Sequence, residues 1–258
     1  MGDAGLADDD VERFVRDGAV RLDAAFPREV ADECRRLLWA ATGCAEDDPS
    51  TWTKPVVRIE GRSDAPFRAA ANTSRLHAAF DRLAGAGRWV PRAGLGTFPI
   101  RFPSPEPPGD DGWHVEATGA NESGALVVDP ASRQRVLLLL FLFSDVGPDD
   151  APTRIRLGSH LDAARVLTAA DRPPDFFAVA AELAEATQHR PEASATGAAG
   201  DVWLCHPYLV HAAQPHRGTR VRFMAQPPLE GTGPIDPERP DRSPVEEAVH
   251  RAVHAGMS

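Results

Sequence analysis

The chain has 258 residues, 42% of them hydrophobic, and a formal net charge of −10. This length and apolar content suffice for one large domain and argue against general disorder. The acidic balance argues against binding to nucleic acid or to an anionic membrane.

The first third of the chain, about residues 1–87, is predicted to be mainly helical. Acidic residues crowd the start of its first helix and Gly18 ends it, while Pro27 suits the first position of the second helix. Three helices are predicted here, with the short strands AVRLDAAF and PVVRIE between them: ADDDVERFVRDG, PREVADECRRLLWAAT and SRLHAAFDRLAG.

From about residue 88 to 230 the pattern favours short strands separated by Gly/Pro-rich turns. The apolar run VLLLLFLF (136–143) is too short to cross a bilayer and predicts a strand buried on both faces. TRIRLGSH leads into a short helix, LDAARVL, and PDFFAVAAELAEATQHR is a longer inserted helix. A last helix is predicted over about 243–255, where Ser243 and Glu246 have the spacing of a capping box. The other predicted strands are WVPRAGLGTFPIRFP, GWHVEA, TRIRLGSH, DVWLCH, LVHAAQ and RVRFMAQ.

Neither internal repeats nor a long linker divides the chain, which predicts a single domain over residues 1–258. Helices, then many strands, then a helical end indicate an α+β fold, mainly β: a sandwich or jelly roll flanked by helices. The acidic start MGDAGLADDD lacks the apolar stretch of a signal peptide, and the three cysteines form no CxxC pair. We therefore expect a reduced, cytoplasmic protein.

The first candidate for a metal site is the segment GWHVEA. If this segment is a strand, His114 and Glu116 lie on the same face of it. Two histidines and one carboxylate with open positions opposite form the facial site of non-haem Fe(II) oxygenases. The short motif is weak evidence by itself, because it recurs at His160 and Asp162. That second copy lies where a strand gives way to a helix, so its side chains should diverge.

The third ligand would be a distant histidine, and His206, His211 and His216 are the candidates. We favour His211 because it lies inside an apolar strand, whereas His216 falls in a turn and His206 precedes a proline. The alternative for His211 is a hydrogen-bonded core histidine.

If residues 215–218 form a hairpin loop, His211 lies directly opposite Arg222. A guanidinium at that place could bind the far carboxylate of a chelating dicarboxylate such as 2-oxoglutarate. Arg220 shares the face and is the rival, and a solvated strand arginine is the alternative for both. Arg101 and Thr153 are further candidates for contacts with the co-substrate.

The chain resembles the phytanoyl-CoA dioxygenase family over nearly its whole length. The resemblance rests on the N-terminal helix–strand–helix DDDVERFVRDGAVRLDAAFPREVADECRRLLW, on GWHVE, on GSH at 158–160 and on HPYLVHAAQPHRGTRVRF. It implies a double-stranded β-helix (cupin-like) fold, Fe(II) with 2-oxoglutarate, dioxygen as a reactant, and oxidation of a C–H bond of a small molecule.

Carried over by position, the resemblance makes His114, Glu116 and His211 the metal ligands and Arg222 the co-substrate anchor. Glu116 departs from the aspartate that the family usually has, yet it keeps the charge and the oxygen donors. A carboxylate at this position also argues against halogenase chemistry, which needs the position vacated.

Two other functions fit the same residues. One is a metal-dependent isomerase, cyclase or lyase on the same fold, which would add no oxygen to its substrate. The other is a catalytically inactive jelly roll that binds a small molecule. The sequence does not identify the substrate, and the absence of a basic cluster favours a free small molecule over one linked to coenzyme A.

Overall fold

A computed structural model describes residues 5–255 and shows helices and antiparallel sheets, which confirms the α+β class. Helical residues outnumber strand residues, because most strands are only two to four residues long, so the composition is not mainly β. The α-helices are α1 (Asp8–Asp17), α2 (Arg28–Thr42), α3 (Ala65–Ala71), α4 (Ser74–Ala84), α5 (Ser159–Thr168), α6 (Phe176–Ala186) and α7 (Pro244–His254).

The strands are concentrated after residue 97, as the sequence predicts. They are β1 (Ala19–Leu22), β2 (Val56–Ile59), β3 (Phe98–Arg101), β4 (Gly119–Ala120), β5 (Leu126–Val127), β6 (Leu137–Leu142), β7 (Arg154–Arg156), β8 (Glu192–Ser194), β9 (Val202–Cys205), β10 (His211–Ala212), β11 (Met224–Ala225) and β12 (Pro228–Leu229). Residues 1–4, part of the predicted helical segment, lie outside the described residues.

Two antiparallel sheets form the centre of the molecule. The large sheet has the order β1-β9-β6-β11, with β12 also on β6, and β3 joins it through a bridge between Arg101 and Arg222. The small sheet has the order β10-β7-β8, and a bridge between His114 and His211 adds the segment around His114 to its edge.

β6 is buried on both faces, as its apolar run predicts. Leu138, Leu140 and Leu142 pack against the small sheet, where they meet Ile155 and neighbouring apolar residues. The intervening residues of β6 pack against the helices of the N-terminal part. One face therefore closes the space between the sheets, and the other anchors the helical layer.

Most helix boundaries follow their local signals. Gly18 ends α1 in the left-handed conformation, and Ser243 and Glu246 form the capping box of α7. Pro27 precedes α2 as its N-cap residue rather than occupying the first helical turn. The sequence analysis missed α3 and the short pairs made by β4, β5 and β8, because segments of this length carry little periodicity.

The predicted hairpin pairing of His211 with Arg222 is wrong. His211 pairs with Ile155 and His114, whereas Arg222 pairs with Arg101. The residues between β10 and β11 cross from the small sheet to the large sheet, so the two strands never face each other within one sheet.

Within residues 5–255, no helix is long and apolar enough to span a membrane.

Candidate active site

His114, Glu116 and His211 come together at the edge of the small sheet. One potential ligand atom from each lies within 4.8 Å of the other two. Nε2 of His211 is 3.5 Å from Oε1 of Glu116, and the two imidazole rings have centroids 4.6 Å apart. Bonds of about 2.0–2.2 Å from a metal to imidazole and carboxylate would need only small side-chain movements from this arrangement.

The main chain holds the two histidines side by side. The backbone N–H of His114 donates to the carbonyl of His211 at 3.0 Å, and that of His211 donates back at 2.9 Å. Nδ1 of His114 lies 2.8 Å from the carbonyl of Gly112, and Nδ1 of His211 lies 3.0 Å from that of Leu209. Since a carbonyl only accepts, each Nδ1 carries the proton and each Nε2 keeps a lone pair for a ligand bond.

The charges around the triad favour a metal-binding protonation state. Burial, together with His211, lowers the pKa of His114 and keeps its imidazole neutral. Burial opposes ionisation of Glu116, but the neighbouring His211 and the charge of Arg135 outweigh it and lower the pKa of Glu116 to about 2. Neutral imidazole and ionised carboxylate are the forms in which these side-chain types bind a divalent cation.

Arg222 and Arg101 form a second cluster, on the inner face of the large sheet. Their main chains exchange hydrogen bonds of 3.1 and 2.9 Å, so the two side chains lie on the same face. Arg222 is 1% exposed, and its guanidinium donates to the carbonyls of Pro99, at 3.1 Å, and Ala151. Burial and the charge of Arg101 lower the pKa of Arg222.

Both guanidiniums keep donors without acceptors among residues 5–255: Nε of Arg222, and Nε and Nη1 of Arg101. Nη2 of Arg101 donates to both carboxylate oxygens of Asp110 at 2.8 Å. Two buried cations and the single carboxylate bonded to Arg101 leave an excess of positive charge, which a dicarboxylate would neutralise.

Asp110 lies near both the arginine cluster and the triad, and Thr153 lies near the arginine cluster. The hydroxyl of Thr153 lies 3.9 Å from the sulfur of Met224, two residues along the strand from Arg222. The charge of Asp110 acts on the pKa of both His114 and Arg222, so Asp110 lies near both clusters. The rival Arg220 is instead exposed and paired with Asp150 at 3.1 Å.

The other histidine candidates stay apart from the triad. His160 and His206 are buried against each other, and their Nε2 atoms lie 3.1 Å from the carbonyl of Val15 and 3.2 Å from that of Val245. The carboxylate of Asp162 instead accepts two hydrogen bonds, of 2.6 and 2.8 Å, from the guanidinium of Arg190. His216 is buried, and its pKa is lowered mainly by that burial.

The sequence analysis missed Arg135 and Asp110. Arg135 lies two residues before β6, and its charge helps to lower the pKa of Glu116. Its Nε and Nη1 have no hydrogen-bond partner in the described part of the chain. An arginine at the border of a wholly apolar strand is the signal that could have singled it out. The guanidiniums of Arg154 and Arg156 lie over the ring of Trp113, 4.6 and 4.1 Å from its centroid.

Comparison with known proteins identifies the family of the chain. A model of the phytanoyl-CoA dioxygenase (PhyH) family matches residues 14–224. The chain belongs to the phytanoyl-CoA dioxygenase family. Membership confirms the predicted enzyme class, an Fe(II)- and 2-oxoglutarate-dependent dioxygenase. No curated protein matches the sequence.

Solved structures share the fold at low sequence identity. The carbocyclase SnoK from nogalamycin biosynthesis, described as α-ketoglutarate dependent, has 18% identity and a TM-score of 0.56, with 88% of this chain and 86% of that one covered. EctD from S. alaskensis, with 2-oxoglutarate and 5-hydroxyectoine, has 18% identity and a TM-score of 0.55, with 91% and 78% covered.

HygX from Streptomyces hygroscopicus was solved with nickel, 2-oxoglutarate and hygromycin B bound. It has 16% identity and a TM-score of 0.54, with 89% of this chain and 88% of that one covered. Similarity to these three structures extends over most of both chains, so the shared fold includes the helices that flank the sheets.

Proposed function

We propose that His114, Glu116 and His211 bind the iron of this dioxygenase, and that Arg222, aided by Arg101 and Thr153, anchors 2-oxoglutarate. We propose further that residues 1–258 form one domain whose two sheets are the layers of a double-stranded β-helix. The order β3-β11-β6-β9 in one sheet, and the His114 segment with β10-β7-β8 in the other, supports that architecture.

The observation that carries the metal assignment is the orphaned Nε2 of His211. This atom is buried and has no hydrogen-bond partner among the described residues, although Glu116 lies 3.5 Å away. Leaving a buried polar atom unsatisfied is unfavourable unless something else binds it. A divalent cation among the three side chains would satisfy it and use the carboxylate at the same time.

The arginine pair supports a dicarboxylate co-substrate by the same reasoning. Arg222 lies on the inner face of its strand with an unpaired Nε, and Arg101 adds two further unpaired N–H groups. Neutralising this positive charge would compensate for the cost of burying it. The Asp110 carboxylate holds Arg101 in place through two bonds of 2.8 Å.

Bound iron supplies activation of dioxygen, and the protein supplies binding and orientation. His114 and His211 present fixed lone pairs, because backbone carbonyls hold their Nδ1 protons. Glu116 contributes the negative charge of the triad. Phe176 packs edge-on against the ring of His114 at 5.9 Å and excludes water from that side.

We propose a free small-molecule substrate, with no role for nucleic acid or membrane, and a cytoplasmic location. The net charge of −10 supports the first exclusion. Arg135 suggests that the substrate carries an anionic group, because two of its N–H groups lie near the triad without an acceptor in the described part of the chain.

The test is an anaerobic titration of metal-free protein with Fe(II) and then 2-oxoglutarate, followed by visible absorption. We expect the charge-transfer band of a chelated keto acid, and we expect it to weaken in Arg222→Gln. Iron binding without the band would remove the co-substrate assignment. Failure to bind iron would remove the metal site and favour the inactive binding protein.

The mass of the product separates hydroxylation from the isomerase or cyclase reaction. A hydroxylated product is heavier than the substrate by one oxygen atom from dioxygen, whereas epimerisation or ring closure adds no oxygen to the substrate. Two similar structures, SnoK and SnoN, are described as a carbocyclase and an epimerase, so this alternative belongs to the test.

A further inference from the structure

We propose a second metal site, built from other residues than the first, at the C-terminal end of α7. Glu238, His250 and His254 each offer one potential ligand atom within 4.8 Å of the other two. The donor set, two imidazoles and one carboxylate, suits Zn²⁺, Co²⁺ or Ni²⁺ rather than Mg²⁺ or Ca²⁺. The argument does not depend on the function proposed for the His114 site.

The helix places both histidines on one face. His250 and His254 are four residues apart in α7, and their ring centroids are 4.4 Å apart. A single divalent cation between the two rings could therefore be bound by both imidazoles.

Glu238 comes from the segment before the helix and completes the set. Its Oε1 lies 2.9 Å from Nε2 of His254, near the roughly 3.3 Å that separates ligand atoms of tetrahedral zinc with bonds of about 2.0–2.1 Å. The ligand atom of His250 is its Nε2, because its Nδ1 donates to a backbone carbonyl.

The segment that carries Glu238 is already fixed to α7. Nε of Arg239 donates to Oε1 of the buried Glu246 at 2.9 Å, and the backbone N–H of Glu238 donates to Asp236 at 3.0 Å. The carbonyl of Pro237 lies 2.9 Å from Nδ1 of His250 and orients that ring. The backbone of the segment is therefore held against α7, so that binding a cation would need to order only the exposed side chains of Glu238 and His254.

Zinc stoichiometry tests the proposal directly. Purified metal-free protein is titrated with Zn²⁺ alone, and bound zinc is counted after removal of free metal. We expect two zinc ions per wild-type chain and one in the variant His250→Ala/His254→Ala. The matched control is His189→Ala, a surface histidine that lies 3.9 Å from a single carboxylate, that of Asp162; it should keep both ions.

The proposal fails if His250→Ala/His254→Ala binds as much zinc as the wild type. Glu238→Gln, which keeps the size of the side chain, should weaken the same site at least tenfold. In His114→Ala/His211→Ala, one ion should remain. If the wild type binds a single zinc that this last variant retains and His250→Ala/His254→Ala loses, the second site stands and the proposed iron site fails.

Discussion

The motif of a histidine followed two residues later by a carboxylate occurs at His114–Glu116 and at His160–Asp162, with opposite results. At the first place the backbone is extended, so the two side chains share a face and meet His211. At the second place both residues lie in the first turn of α5, where residues two apart point in different directions. Backbone conformation, rather than residue type, decides whether the motif can bind a metal.

The two motifs also differ in how far their side chains are exposed to solvent. The triad includes Glu116, whose side chain is 30% exposed, whereas His160 is fully buried and its Nε2 donates to a backbone carbonyl. Burial lowers the pKa of His160 to about 4, so it is a neutral core residue. One motif lies where ligands can reach it, and the other supports the packing of α5 against α1 through the carbonyl of Val15.

The largest expected effect comes from removing a ligand of the triad. His211→Ala should lower iron affinity and turnover by more than about 100-fold, which exceeds the usual effect of a residue behind the ligands. His160→Gln should leave iron affinity unchanged. Iron content and 2-oxoglutarate decarboxylation measure both. If His211→Ala and His160→Gln lost iron affinity equally, the His114 motif would not be the one that binds the metal.

The next effect concerns the arginine pair. Arg222→Gln should raise the Kd for 2-oxoglutarate by roughly 30-fold or more, because truncating a buried charged partner costs about 2–5 kcal/mol. Arg222→Lys should recover part of the affinity, and Arg220→Gln is the surface control. Titration of the iron-loaded protein measures these constants. An unchanged Kd in Arg222→Gln would place the co-substrate elsewhere.

Acid should destabilise the protein through His160. Burial lowers its pKa to about 4 in the folded chain, against about 6.5 for an exposed histidine, so the unfolded state binds the proton more tightly. Stability is therefore full above pH 6.5 and falls as the pH drops from 6.5 to 4, by about 3 kcal/mol at 1.4 kcal/mol per pKa unit. Urea unfolding at a series of pH values measures this.

The variant His160→Gln should have a flatter stability profile between pH 6.5 and 4 than the wild type. Its stability at pH 8 reports any loss of packing separately. The neighbouring His206, whose pKa is also lowered by burial, contributes in the same direction and keeps some of the slope. An unchanged slope in His160→Gln would assign the acid sensitivity to other groups.

The smallest effect is expected for Glu116→Asp, which shortens the side chain by one methylene and keeps the charge. Iron affinity should change by about tenfold or less, below the loss expected for a missing ligand. Glu116→Ala is the contrasting variant and should behave like His211→Ala. If Glu116→Asp binds iron as poorly as Glu116→Ala, the position of the carboxylate matters as much as its charge.

Local sequence patterns predicted the longer helices and strands well. The periodic helices, the doubly buried β6 and the capping box of α7 all appear, and the face shared by His114 and Glu116 followed from an extended backbone. The partner of Arg222 could not be predicted, because it depends on which sheet each strand joins. A short turn between two strands suggests a hairpin, but the chain crosses between sheets at that point.

The pairing of His114 with His211 also has a consequence for folding. The two residues lie almost 100 positions apart, so closing the loop between them is entropically costly and must await the strands that lie in between. We therefore expect the triad to assemble late, after the large sheet has formed. Metal affinity would then report on the closure of the small sheet, and a variant that loosens this edge would lose the metal while its circular dichroism spectrum remained native.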